Sequence, residues 1–171
     1  LQVKPMPILT LPSNIRRNHA LEHATLQILG AKNPHLRLAG YSDSLGFWII
    51  GKVDFDELQE AIHQAETRLN QGEAHLAIHP NCGTNFAASG LVAAMAAFLA
   101  MLGSGNSNRS RWERLPLAAV LVTLSLILSR PLGPWLQAVA TTDAHLNGLH
   151  VVGIDRFERR SIPLYRVHTR S

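Results

Sequence analysis

The chain has 171 residues, enough for one ordinary domain or for a small domain plus a membrane element. Charged residues make up 16%, well below the roughly 25% of a typical soluble domain, and they avoid two apolar runs. A single cysteine, Cys82, excludes a disulfide-stapled scaffold. The net charge of +4 lies on scattered arginine pairs and triplets without an RNA-binding motif or zinc-knuckle spacing, which points to lipid headgroups and away from nucleic acid.

Residues 1–12 contain Pro5, Pro7 and Pro12 and read as an extended arm, with no apolar run of signal-peptide length. Ser13 or Asn14 is placed to cap a helix that runs to about Leu29, where Gly30 stops it. Leu21, Ala24 and Ile28 form its apolar stripe, and His19, Glu22, His23 and Leu26 form the stripe beside it. Residues 35–41 and 47–53 around Ser42-Asp43-Ser44-Leu45-Gly46 read as a hairpin. Asp54 with Glu57 resembles a capping box, and Leu58, Ala61, Ile62, Ala65 and Leu69 follow at helical spacing until Gly72. Residues 74–79 alternate as a strand would.

Pro80 to Asn85 form a tight turn into the first apolar run, residues 86–103, which carries no charge. A polar loop over 104–114 leads to the second apolar run, 115–129, with Pro116 in a tolerated first turn. Arg130-Pro131-Leu132-Gly133-Pro134 interrupts it, and residues 135–140 continue as an interfacial segment. Both runs are apolar on all faces, so the reading is a transmembrane hairpin rather than a buried core pair. Residues 149–154 and 162–167 read as two final strands around a charged turn. Arg109, Arg111 and Arg114 favour a cytoplasmic loop, whereas a folded segment ahead of the first span without a signal peptide favours a cytoplasmic domain. The reading adopted is a domain on the cytoplasmic side.

The segment His19-Ala20-Leu21-Glu22-His23 is the one stretch that points to a specific chemistry. On a helix, residues i and i+4 share a face, so His19 and His23 can bind one metal ion, with Glu22 on the same side. Zinc takes tetrahedral N, S and O ligands, three from protein when the fourth position is open. Cys82 is the first candidate for the third ligand, because a thiolate at a helix start is favoured by the dipole. His79 and Asp143 are the other two. Both flank the apolar pair, so a hairpin brings them out on one membrane face. Glu22 is the candidate general base toward metal-bound water; its alternative is a salt bridge to Arg16 or Arg17. The other reading of the motif is a polar helix face with two hydrogen-bonded histidines.

Arg17 to Thr25, Gly40-Tyr41-Ser42, Gly46-Phe47, Cys82-Gly83-Thr84-Asn85 and Thr141-Thr142-Asp143-Ala144 occur in this order. On these segments the chain resembles a family of uncharacterised small membrane proteins, a domain of unknown function, from cyanobacteria and filamentous phototrophic bacteria. The resemblance covers most of residues 14–155. It implies the thylakoid or plasma membrane of a phototroph and one shared pattern of His19, Glu22, His23, Cys82 and Asp143. A narrower resemblance, over His19, Glu22 and His23 only, is to inverted zinc peptidases. Their third ligand, a glutamate, would fall near residues 95–98, where this chain has no acid.

The expected fold is therefore α+β: a small mixed helix and strand domain interrupted by a two-helix transmembrane hairpin. Its parts are 13–82, the hairpin 85–140, and a C-terminal strand pair, 141–171. Three functions fit. The first is an accessory or assembly subunit of a photosynthetic membrane protein complex, with a bound metal. The second is a membrane-bound zinc-dependent hydrolase or peptidase, and the third a metal or tetrapyrrole carrier. The expected partners are membrane lipid and a larger membrane complex.

Overall fold

A computed structural model describes residues 11–103 and 107–171, so the expected arm lies almost wholly outside the described residues. The chain forms two compact units. One consists of the chain up to His79 together with Gln137–Ser171, and the other of Pro80–Leu136.

The first unit is α+β. Its helices are α1 (Ser13–Lys32) and α2 (Phe55–Asn70), and its strands are β1 (Ala39–Asp43), β2 (Gly46–Ile50), β3 (His150–Arg159) and β4 (Ile162–Arg170). The strands form one antiparallel sheet in the order β1-β2-β4-β3, so the two C-terminal strands complete the sheet begun by the N-terminal hairpin. Period-two alternation sets its faces. Phe47 and Ile49 of β2 and Tyr165 and Val167 of β4 are buried on the inner face. There they join Leu21, Ala24, Ile28 and Leu29 of α1, and the α2 stripe of Leu58, Ala61, Ile62, Ala65 and Leu69. That stripe is the one read from helical spacing. Asp54 caps α2 by accepting from the Asp56 and Glu57 amides.

Three local expectations are corrected. Pro12, not Ser13 or Asn14, holds the N-cap position of α1, and no side chain caps the helix. Gly30 does not stop α1. The helix continues to Lys32 and ends at Asn33, whose amide bonds to Leu29 O, because the residue before Pro34 is driven out of the helical region. Residues 74–79 are not a strand: Ala74–Ala77 form a 3-10 turn. The α1 side chains supply what a sheet ladder would have supplied. His23 Nδ1 donates to Ala77 O at 2.7 Å, and Gln27 Nε2 donates to Leu76 O and Ile78 O at 2.7 and 3.1 Å. This explains why Leu76 and Ala77, neighbours in sequence, are both buried.

The outer sheet face carries Trp48 and Arg166. The Arg166 guanidinium lies 5.3 Å from the Trp48 ring centroid and pairs with Asp43 at 2.8 Å. The Arg166 hydrogen bond holds the Asp43 carboxyl below the usual carboxylate range, helped by the Leu45 amide. A carboxyl depressed in the folded state contributes stability above its unfolded pKa and loses that contribution as pH falls through the folded one. Denaturant titrations are therefore expected to show weakening on the acid side of about pH 4, and Asp43→Asn is expected to flatten that limb while leaving its neutral end lower. Parallel curves for the two proteins would remove the ion pair from the account.

The second unit contains α3 (Gly83–Met101), α4 (Asn108–Glu113), α5 (Leu115–Leu128) and α6 (Leu132–Leu136). The expected polar loop includes α4, an arginine-bearing turn with an Arg109–Glu113 pair at 3.1 Å. Helices α3 and α5 run antiparallel. Arg114 Nη1 donates to Ala100 O and Leu102 O at one end, and Ser129 Oγ donates to Ser89 Oγ at the other. Gly133 permits a close approach, because a Cβ there would lie 2.8 Å from Asn85 Cα.

Among the described residues, α3 alone is long and apolar enough to cross a membrane. Its 19 residues extend about 28 Å, close to the hydrocarbon thickness. The 14 residues of α5 extend only about 21 Å. They pass the same test only when joined to Leu132–Thr141, which is bent by 50° against them. Pro131 and Pro134 cause that break. The expected pair of spanning helices is therefore reduced to one candidate span and one broken helix pair.

Candidate metal centre

Helix α1 is the hub of the first unit, and its central turns are buried on nearly all sides, from Asn18 through Thr25 except for half-buried His19. Polar side chains there need partners. Asn18 Nδ2 donates to Asp43 O at 2.8 Å and Asn18 Oδ1 accepts from Thr169 Oγ1 at 2.7 Å. Thr25 returns its proton to Leu21 O.

The histidines follow the same rule in a specific way. His19 Nδ1 lies 2.9 Å from Thr141 O, and His23 Nδ1 lies 2.7 Å from Ala77 O. A carbonyl oxygen only accepts, so each ring in its neutral form carries its proton on Nδ1 and its lone pair on Nε2. The two ring centroids are 4.2 Å apart. A backbone carbonyl on one ring nitrogen is the usual outer contact of a metal-ligating histidine, and it fixes both tautomer and ring orientation.

Among the described residues, His19, His23 and Cys82 are the His/Cys group that could hold a metal ion. Cys82 is buried at the N-cap position of α3, three residues after His79, and its Sγ lies 3.5 Å from Thr84 Oγ1. Of the five predicted ligands, His19 and His23 are brought together on one turn of α1, and Cys82 is the third member of the group. His79 lies close by, its ring centroid 5.5 Å from that of His23, outside the three-residue group. Burial holds its imidazole below the ordinary histidine range, reinforced by His23. Asp143 is also outside the group. Its Oδ1 accepts from the His145 amide at 3.1 Å and pairs with the His145 ring. The Asp143 segment meets α1 through the backbone instead: Asp143 N donates to Arg16 O, and Arg16 Nη2 donates to Thr142 O at 2.9 Å.

Glu22 is buried beside this group and outside it. Its carboxylate accepts from the Ser42 hydroxyl, not from Arg16 or Arg17. Burial pushes the Glu22 carboxyl above the ordinary range, against smaller downward pulls from Ser42 and from the charge of His19. Gly40 makes room for it. Gly40 and Ser42 share the inner face of β1, and a Cβ at Gly40 would lie 2.7 Å from Glu22 Cγ. Gly40→Ala is therefore expected to cost about 1–3 kcal/mol through crowding. Most of that cost is expected to vanish in a Glu22→Ala background, measured by a double-mutant cycle in denaturant. An equal cost in both backgrounds would show that Glu22 is not what the methyl group meets.

Sequence reasoning missed the two carbonyl acceptors, Ala77 and Thr141, because a backbone oxygen leaves no residue-type signal. It also missed Ser42 as the partner of Glu22 and the role of Gln137. Gln137 is fully buried, accepts from His79 N at 2.8 Å and donates to His79 O at 3.1 Å.

A family model described as "Domain of unknown function (DUF6391)" matches residues 14–154. An uncharacterised protein of the cyanobacterium Picosynechococcus is 39% identical over 89 residues, which cover 47% of this chain and 43% of that protein. The match thus spans less than half of that relative's length. No solved structure matches the chain.

Proposed function

We propose that this chain, which belongs to the DUF6391 family of unknown function, is a membrane-anchored metal-binding protein that serves as an accessory subunit of a larger membrane complex. The metal is zinc, held by His19 Nε2, His23 Nε2 and the Cys82 thiolate. The observation that carries this reading is the backbone carbonyl on each Nδ1, which orients two histidines of one helix turn as metal-ligating histidines are oriented, with Cys82 as the third donor of the group. The anchor is α3 with the broken pair of α5 and the segment to Thr141 as a second, bent span. Large apolar side chains exposed along these helices, including Phe86, Leu91, Met95, Phe98, Leu124 and Leu128, support a lipid environment. The relative comes from a cyanobacterium, which fits a phototroph as the setting.

Elemental analysis of the purified full chain tests the metal. One zinc per chain is expected in the wild type, and a large loss in His19→Ala and in Cys82→Ser. A metal-free wild type purified without chelator would overturn the assignment. Co-purification from membranes in mild detergent tests the partner: the chain is expected in a large assembly, and migration alone would remove the subunit role.

A hydrolase is the second reading, favoured by Glu22. Three protein ligands leave the fourth zinc position for water, and a buried carboxyl of raised pKa beside His19 suits a general base. Glu22→Gln separates the two. It is expected to keep zinc and cellular function if the site is structural, and to keep zinc but lose function if the site is hydrolytic.

A further inference from the structure

The outer face of the four-stranded sheet carries an apolar patch beside the Arg166–Asp43 and His168–Asp155 pairs, and no described element of the first unit covers it. Register places its residues in rows across the strands. Tyr41 pairs with Trp48, and Trp48 with Arg166, in one row; Ile50 pairs with Leu164, and Leu164 with Phe157, in the next. Ile162 follows, opposite Arg159. Tyr41 is 63% exposed, Phe157 49% and Ile162 47%, so these three stand in the open, while Trp48, Ile50 and Leu164 are half-buried. A soluble sheet face normally alternates to polar residues on its solvent side.

The Ile162 end of this face is basic. A shallow hollow of about 380 Å³ is lined there by His35, Leu36, Arg37, Gly51, Lys52 and Ile162. Arg37, Lys52, Arg159 and Arg160 are all exposed. The acids nearer the middle are already engaged, Asp43 with Arg166 and Asp155 with His168 at 2.9 Å. Among the described residues these four cations form no ion pair, and they border a patch of Tyr, Trp, Phe, Ile and Leu. Exposed aromatics at headgroup depth with lysine and arginine on anionic phosphates is the chemistry of a membrane interface.

We propose that the outer sheet face is an interfacial docking surface that lies on an anionic lipid bilayer, with Arg37, Lys52, Arg159 and Arg160 on lipid phosphates and Trp48, Phe157 and Ile162 at the acyl boundary. The proposal rests on the membrane-anchored reading, because the anchor keeps the bilayer within reach of the sheet. Docking holds the first unit against the headgroups rather than leaving it tethered in water.

Trp48 reports on this contact. The full chain, with Trp112→Phe and Trp135→Phe, is reconstituted into nanodiscs of phosphatidylcholine alone or with about one third phosphatidylglycerol. Brominated acyl chains serve as quencher. Co-elution with nanodiscs reads the anchor, and quenching of Trp48 reads the docking, so the two can fail separately. The expected result is co-elution in both lipids, with Trp48 blue-shifted and quenched only when phosphatidylglycerol is present. Each charge reversal, as in Lys52→Glu or Arg159→Glu, is expected to weaken the docked population about fivefold, and high salt to release it. Co-elution without quenching in either lipid overturns the proposal, as does quenching that ignores lipid charge. Protection of Trp48 that requires a second copy or a protein partner also overturns it.

Discussion

Replacing His23 with alanine is expected to abolish high-affinity zinc binding, with an affinity loss well beyond the roughly 10–100-fold that follows removal of an outer-shell partner. His23 is 2% exposed, and the bond of its Nδ1 to Ala77 O fixes the ring that the substitution removes. The substitution also leaves a buried carbonyl without its donor, at a cost of about 1–3 kcal/mol that is present with or without metal. The two effects separate in unfolding measurements with and without chelator. Wild-type protein at a thousandfold excess of zinc over its Kd gains about 4 kcal/mol from the metal, which a chelator removes. His23→Ala is expected to be less stable than wild type and insensitive to the chelator. His19→Ala, at a less buried position, is expected to show the same insensitivity with a smaller structural loss. A wild-type protein equally indifferent to chelator would mean that the imidazoles are only hydrogen-bonded side chains.

The largest effect on stability is expected at Tyr165. Its ring is 1% exposed at the centre of β4, 6.3 Å from the Phe55 ring, and its hydroxyl donates to Val53 O at 2.7 Å. Tyr165→Ala leaves a cavity where β4, β2 and the start of α2 meet, with an expected loss of about 3–5 kcal/mol in denaturant titrations. Tyr165→Phe removes only the hydroxyl and is expected to cost about 1 kcal/mol. The pair distinguishes packing from hydrogen bonding: comparable losses in the two variants would mean that the ring is not a core element. For a unit of this size a loss near 4 kcal/mol is a large share of the typical total of about 5–15 kcal/mol. The alanine variant is thus expected to unfold the sheet that supports Ser42 and, through it, Glu22.

What the sequence made legible was local. The α2 stripe, the Asp54 cap, the hairpin turn and the last two strands follow from spacing, capping and turn chemistry, each confined to a few residues. The His19/His23 spacing was legible for the same reason: one turn of helix is a short-range relation. Elements decided by distant partners were not. Residues 74–77 alternate like a strand, yet they fold as a 3-10 turn because His23 and Gln27, about fifty residues away, take up their carbonyls. Asp143 looked like a ligand by type and position, but its carboxylate is used within its own turn while the neighbouring carbonyls reach α1. The second apolar run suggested a span by composition alone, whereas its length is set by the prolines that break it.

The Gln137 amide gives the chain a property that no single element has. By bonding both the N–H and the C=O of His79, it copies with a side chain the two-way pairing of one residue with its neighbour in a sheet. His79 is where the chain leaves the first unit and Gln137 is where it returns, so the two ends of a 57-residue excursion are stitched together at its neck. The excursion is therefore an insertion into an otherwise continuous fold. Its length is decoupled from the sheet it interrupts: lengthening the excursion would add only the slowly growing entropy of closing a longer loop.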